Sequence, residues 1–379
     1  MAEKRALMLA SVASMIDQFN IPNIKLLQAL GYRVDVVADF TNPGTITAER
    51  SNALKSRLSE MNAQVYDIAI PRSLSPRAIL MAYKKVRKLV SEKQYDLIHC
   101  HSPIGGAICR LAARKERKKG TRVIYTAHGF HFYTGAPLKN WLIFYPIEKW
   151  LSRYTDVLIT INKEDYKLAS ERFRAKETVY VPGIGIDTAK FAAACGRERI
   201  RKELGIGEND IMLLSVGELS DRKNHQAIVR AIAGLGEKQY YVIVGRGEKQ
   251  QKLKSLAAEL GIEEQLKLAG FRADVADFYD AADLFAFPSL QEGLPVALME
   301  AMASGLGVVC SGIRGNTDLI DPEKGGFLFD PHNTDEIAAC IRKALAADRK
   351  EMGRYNLEKV RLFDRTYVER EMERIYSES

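Results

Sequence analysis

The stretch LFAFPSLQEGLPVALMEAMASG, Leu284–Gly305, decides the fold class. Leu284–Ser289 reads as a buried strand and Gln291–Gly293 as a turn. Pro295 reads as a first-turn residue of a helix running to about Ser304, because a first helical turn leaves the missing proline N–H unbonded anyway. A strand that turns directly into a helix is the repeating unit of a parallel α/β sheet. Glu292 then sits at the strand-to-helix corner, where Gly293 lets a ligand approach the backbone and the N–H groups of the helix start favour an anionic or oxygen-rich group. A second carboxylate, Glu300, stands among Val296, Ala297, Leu298, Met299, Ala301 and Met302. Burying it is costly unless strong donors meet it. It lies on a solvated stripe of the helix, pairs with a core arginine, or accepts hydrogen bonds from ligand hydroxyls such as a ribose diol.

Working outward, the same alternation fills the chain. Strand-length apolar runs occur at Ala6–Ser11, Arg33–Asp39, Gln64–Ile70, Asp96–His101, Arg122–His128, Asp156–Ile161 and Thr178–Pro182, with helical periods between them at Asn23–Leu30 and Pro76–Ser91. After VPGIGIDTAKF, Val181–Phe191, the pattern restarts at Ile211–Gly217. It continues through Tyr240–Gly245, Leu266–Gly270, Leu284–Ser289 and Gly307–Ser311 before ending in helices. A length of 379 residues favours two cores. The expectation is an α/β protein of two Rossmann-like domains, residues 1–183 and 184–379, facing across a cleft. A last helix, about 351–376, is expected to pack back on the first domain. Ligands of such sheets bind outside the carboxyl ends of the strands, so functional residues should follow strands.

The net charge of +8 suits an anionic partner: nucleic acid, a phosphorylated substrate or an anionic membrane. Neither an RNP-type aromatic signature nor zinc-finger spacing nor a basic zipper is present, which argues against nucleic acid. No apolar run reaches the roughly 18 to 20 residues of a membrane span. The short apolar run after MAEKR is closed by Asp17 and reads as a strand rather than a signal peptide. Five cysteines without paired or metal-type spacing suit reduced thiols in a cytosol.

Three further constellations follow strands. In SVGELSDRKNH, Ser215–His225, Gly217 ends a strand, and Arg222 and Lys223 precede a helix beginning near Asn224; fixed charge beside helix N–H groups suits a diphosphate, though a solvated turn has the same look. YTAHGFHFY puts His128 at a strand end with His131 nearby, and DLIHCHSPIGG puts His99 and His101 at a neighbouring one. His-x-His invites a metal, but no carboxylate or thiolate completes a set, and no Asp-x-Asp occurs; no metal is expected. Arg272, two residues beyond the strand Leu266–Gly270, joins the nucleotide-binding candidates.

Taken together, these motifs resemble the retaining glycosyltransferases of family 4, of GT-B architecture, over essentially the whole chain. The most specific match is FPSLQEGLPVALMEAMASG. The resemblance implies that Glu292 and the backbone at Gly293 and Leu294 hold a donor sugar, that Glu300 binds the nucleotide ribose, that Lys223 binds the diphosphate, and that His128 meets the sugar near the reacting centre; Pro295, next along, joins the nucleotide-binding candidates. Glu218 stands where many members carry an arginine, and ASMIDQFNIPN, Ala13–Asn23, lacks the usual glycine pair of the first loop.

TAHGFHFYTG, Thr126–Gly135, resembles the capsular and exopolysaccharide branch that uses polyprenyl-diphosphate-linked acceptors. The implied reaction moves a sugar, an N-acetylhexosamine by this resemblance, from a UDP-sugar to a lipid-linked saccharide with retention and without a cofactor. The implied location is cytoplasmic, peripheral at the inner face of the membrane. RLAARKERKKG, Arg110–Gly120, and the aromatic stretch Phe130–Tyr154 fit an interfacial surface, or equally a solvated helix end and core packing. A nucleotide-sugar epimerase of the same architecture and a non-catalytic nucleotide-sugar-binding subunit are the rival readings.

Overall fold

A computed structural model describes residues 3–236 and 238–378. The chain forms two compact units, one running to Ile184 and taking in the segment from Val368, the other Gly185–Tyr367.

The first unit holds strands β1 (Lys4–Val12), β2 (Tyr32–Asp39), β3 (Gln64–Asp67), β4 (Leu97–His101), β5 (Arg122–Ala127), β6 (Val157–Thr160) and β7 (Glu177–Tyr180), in spatial order 3-2-1-4-5-6-7. Every pairing is parallel. The run after MAEKR is thus the inner strand β1, whose alternating side chains feed two cores. Ala6, Met8 and Ala10 pack on one face; Leu7 and Leu9 pack on the other.

ASMIDQFNIPN is helical rather than an open loop. One turn at Ala13–Met15 passes into a π-helical turn at Ile16–Asn20 and then the helix Ile21–Ala29. Asn20 Nδ2 donates to the Met15 carbonyl at 3.0 Å, spanning the widened turn.

The second unit holds β8 (Ile211–Val216), β9 (Gln239–Val244), β10 (Leu266–Gly270), β11 (Leu284–Phe287), β12 (Val308–Ser311) and β13 (Gly326–Phe329), in order 10-9-8-11-12-13 and again parallel. β13 escapes the sequence reading because GFLF is four residues long at a sheet edge. In both sheets strand order reverses beside the first strand, between β1 and β4 and between β8 and β11. Those crevices are where ligands of doubly wound sheets bind.

The single last helix expected over about 351–376 is broken. Arg349–Lys359 and a 3₁₀ turn at Val360–Phe363 stay in the second unit, burying Met352, Val360 and Phe363. Asp364 interrupts the run, its carboxylate accepting from the Thr188 and Thr366 hydroxyls at 2.7 Å each. The helix Arg365–Ser377 follows, and its stripe Val368, Met372, Ile375 and Tyr376 joins the core of the first unit beside Met8.

Candidate active site

In the second unit the loops after β8 and β11 meet at the crevice. Lys223 Nζ lies 2.7 Å from Glu292 Oε1, and Arg222 Nη1 reaches the same oxygen at 3.0 Å and the Gln291 carbonyl at 3.1 Å. The backbone ties the loops as well, Leu290 N donating to the Arg222 carbonyl at 2.8 Å. Lys223 is nearly buried, with its ammonium 4.6 Å from the Phe287 ring centroid. Burial lowers its pKa, and the Glu292 charge opposes that shift.

Asn224 supplies the left-handed residue (φ 54°) that turns the chain into the helix His225–Ile232. Its amide is fixed by the Pro288 and Pro331 carbonyls at 3.2 and 3.1 Å.

Two glycines make the close approaches possible. A β-carbon on Gly217 would stand 3.2 Å from Lys223 Cε, and one on Gly315 would stand 2.4 Å from the Gly293 carbonyl oxygen. Arg314, which the sequence reading missed, donates through Nε and Nη2 to the Glu292 carbonyl at 3.2 and 3.1 Å. Its signal was only its place after β12.

Pro295 is the residue before the helix Val296–Ala303 rather than inside its first turn, and no side chain caps that helix start. Its first N–H groups therefore remain available beside Gly293, Leu294 and Pro295.

Glu300 is half-buried and not paired with a core arginine among the described residues. The Tyr279 hydroxyl lies 2.9 Å from its Oε2 and 3.0 Å from the Ala297 carbonyl. Burial pushes the carboxyl up to about 7, against the Tyr279 hydroxyl and the more distant Lys190 charge. A carboxylate held this weakly has acceptor capacity to spare.

Two candidates stand apart. Arg272 does follow β10, but its guanidinium forks onto Asp274 at 2.8 and 2.9 Å and onto Glu203, and it packs on the Phe278 ring. The structure brings it to neither Lys223 nor Glu292. Glu218 is exposed and acts on Lys223 less than Glu292 does.

In the first unit, the strand ends of β4 and β5 bring three imidazoles together. His101 Nδ1 and His128 Nε2 are 3.1 Å apart, and the His99 and His101 ring centroids are 4.2 Å apart. His99 is held by the Tyr376 hydroxyl at 2.7 Å and the Thr126 hydroxyl at 2.8 Å. Burial depresses all three, His99 to about 3 and His128 to about 4, so the cluster is neutral at pH 7. Phe19, carried by the π-helical turn, sits with its ring 6.2 Å from that of His128, and a small cavity opens between Phe19, Asn23, His101, His128 and Met372.

The basic and aromatic stretches divide. Arg110 is buried, bonded to Glu148 at 2.8 Å with its guanidinium 3.9 Å from the Tyr125 ring centroid, and Arg117 forks onto Asp156. Those two arginines are structural. Arg114, Lys115 and Lys118 remain exposed. Phe130 and Phe132 stack in the core, with Trp141, Phe144 and Tyr145 packed against it. The outer face of the helix Leu138–Leu151 presents Leu138, Leu142, Ile143, Ile147 and Trp150, the first two about 70% exposed. No helix among the described residues is long and apolar enough to cross a membrane.

Residues 24–190 match the model of glycosyltransferase family 4, and residues 196–359 that of the glycosyl transferases group 1. A putative glycosyltransferase, EpsD of Bacillus subtilis (strain 168), is 34% identical over 346 residues, 90% of this chain and 87% of that protein. The chain belongs to the family 4 glycosyltransferases.

This glycosyltransferase also shares 31% identity over 264 residues, 67% of this chain and 68% of the relative, with the Escherichia coli UDP-Gal:alpha-D-GlcNAc-diphosphoundecaprenol alpha-1,3-galactosyltransferase. The crystal structure of Anabaena Alr3699/HepE in complex with UDP has the same fold, with a TM-score of 0.79 at 20% identity, covering 99% of this chain and 100% of that one. His128 lies within the first matched segment; Lys223, Glu292 and Glu300 lie within the second.

Proposed function

We propose that this glycosyltransferase moves a sugar, an N-acetylhexosamine, from a UDP-sugar to a polyprenyl-diphosphate-linked saccharide, with retention at the anomeric carbon, in surface polysaccharide synthesis. The observation that carries the reading is the Lys223–Glu292 contact of 2.7 Å at the β8–β11 crevice, beside an uncapped helix start. A donor diphosphate competes with Glu292 for the Lys223 ammonium, leaving the carboxylate oxygens to accept from sugar hydroxyls. As the sugar leaves, negative charge grows on the diphosphate, and Lys223, Arg222 and the helix N–H groups stabilise it where they already stand. These groups supply the charge stabilisation for which other sites use a metal, so the proposed reaction is metal-independent.

The ribose end falls to Glu300. In the first unit, neutral His128 orients rather than attacks. The acceptor hydroxyl loses its proton to the departing phosphate on the same face, which gives retention without an enzymic nucleophile. The E. coli relative's name, which holds both a UDP-linked donor and a diphosphoundecaprenol acceptor, supports the donor and acceptor classes. The name of a Campylobacter jejuni relative, an N-acetylgalactosaminyltransferase on a diphospho-undecaprenol saccharide and 31% identical over 169 residues, supports the sugar class.

Such an acceptor resides in a bilayer, and the apolar outer face of Leu138–Leu151 with Lys139 and Lys149 is suited to the inner, anionic leaflet. The test is transfer from a panel of labelled UDP-sugars to lipid-linked saccharide by the wild type and by Glu292→Gln. The variant is expected to lose roughly 100-fold or more in turnover; an unchanged rate refutes the donor-site assignment.

A further inference from the structure

His101 is 1% exposed and touches polar atoms at both ring nitrogens: Met8 Sδ at 3.3 Å from Nε2 and His128 Nε2 at 3.1 Å from Nδ1. The two contacts are not equivalent. A thioether sulfur has no hydrogen to give and is only a weak acceptor, so the ring nitrogen facing Met8 is the one that bears hydrogen. A neutral imidazole carries one N–H, which leaves His101 Nδ1 as a bare acceptor. The facing Nε2 of His128 must then be the donor, and the single proton of a neutral His128 is used there.

His128 Nδ1 is left with a lone pair and has no hydrogen-bond partner among the described residues. We infer that His101 is a positioning residue that, through Met8, fixes His128 as the Nε2–H tautomer and so makes His128 Nδ1 an obligate hydrogen-bond acceptor. The ligand group this nitrogen takes is a donor, a sugar or acceptor hydroxyl, and never a phosphate oxygen or a carbonyl.

Desolvation of buried His101 and half-buried His128 supports the neutral state of both rings, holding each pKa below the usual imidazole value. Placement supports it too: His101 and Met8 sit on neighbouring strands beneath the crevice, Met8 paired with His99 in the β1–β4 register, so neither can leave without distorting the sheet. The role in transfer rests on the proposed reading of His128 as a group that meets the sugar; the tautomer itself does not.

The test is nitrogen-15 NMR of the full chain labelled at histidine, with the His128 signals assigned by their loss in His128→Phe. The expected spectrum gives His128 a proton-bearing Nε2 and a bare, pyridine-like Nδ1. His101→Phe, which keeps the ring shape without an acceptor, is expected to mix the His128 tautomers. It should also lower transfer by about tenfold or more at unchanged thermal midpoint, while His101→Gln, which keeps an acceptor, restores most of the rate. A wild-type His128 protonated on Nδ1, or a His101→Phe protein with an unmixed tautomer, overturns the inference. If the tautomer is as expected and His128→Phe transfers at the wild-type rate, the reading of His128 as a sugar contact is what fails.

Discussion

Glu300 is the residue whose environment makes the sharpest statement. A free glutamate releases its proton near 4.5, whereas in the fold this one keeps it up to about 7. Between those values the native chain binds more protons than the unfolded chain, so stability falls as pH rises through the window. Glu300→Gln should flatten that part of the stability profile, as read from thermal midpoints between pH 4.5 and 7.5. The proposed contact with both ribose hydroxyls is strongest with the ionised form, whose two oxygens both accept, so affinity for a UDP-sugar, whose diphosphate does not titrate here, should increase as pH rises through about 7 in the wild type and stay level in the variant. A wild-type affinity indifferent to pH would take the ribose away from Glu300. The residues whose place was legible in sequence are those that stand just after a strand: Glu292 after β11, Lys223 after β8 and His128 after β5. Arg272 stood after a strand too, yet Glu203 and Asp274 occupy its guanidinium. Glu203 lies far away in sequence, and no spacing rule announces that partner.

At the scale of elements, the loops are held by backbone geometry as much as by charge. Gly315 has φ +83°, and any β-carbon there meets the Gly293 carbonyl. Gly315→Ala should destabilise the protein by about 1–3 kcal/mol and weaken UDP-sugar binding, because Gly293 must move. The thermal midpoint should fall by roughly 2–4 °C for each kcal/mol. Gly312→Ala is the control: its nearest neighbour would be at 3.7 Å, so it should stay within about 0.5 kcal/mol. The helix Leu138–Leu151 calls for a different measurement. Its inner face is core and its outer face is also apolar, a pattern that solvent alone does not favour. If the proposed membrane contact is this face, Leu142→Glu with Ile147→Glu should lower binding to phosphatidylglycerol vesicles about tenfold or more, with the fold kept; undiminished co-sedimentation would refute that assignment. Strand and helix order was readable because burial writes its period into sequence. The π-helical turn was not: the Asn20 side chain that bridges it to the Met15 carbonyl leaves no periodic mark in the sequence.

For the whole molecule, the family 4 fold is shown, and the proposed chemistry on it is departure of a nucleoside diphosphate stabilised by Lys223 and Arg222, with the acceptor attacking on the face just vacated. Both sheets were legible as parallel and doubly wound. The break of the last helix at Asp364 was not, since half of what holds that carboxylate, the Thr188 hydroxyl, is distant in sequence, the other half being Thr366 two residues on. The most direct measurement is the anomeric configuration of the product, read from the proton coupling constant after transfer from an α-linked UDP-sugar to a polyprenyl-diphosphate-linked saccharide. The account predicts an α-linked product whose formation stops in Glu292→Gln; a β-linked product, or no transfer from any UDP-sugar, would contradict it.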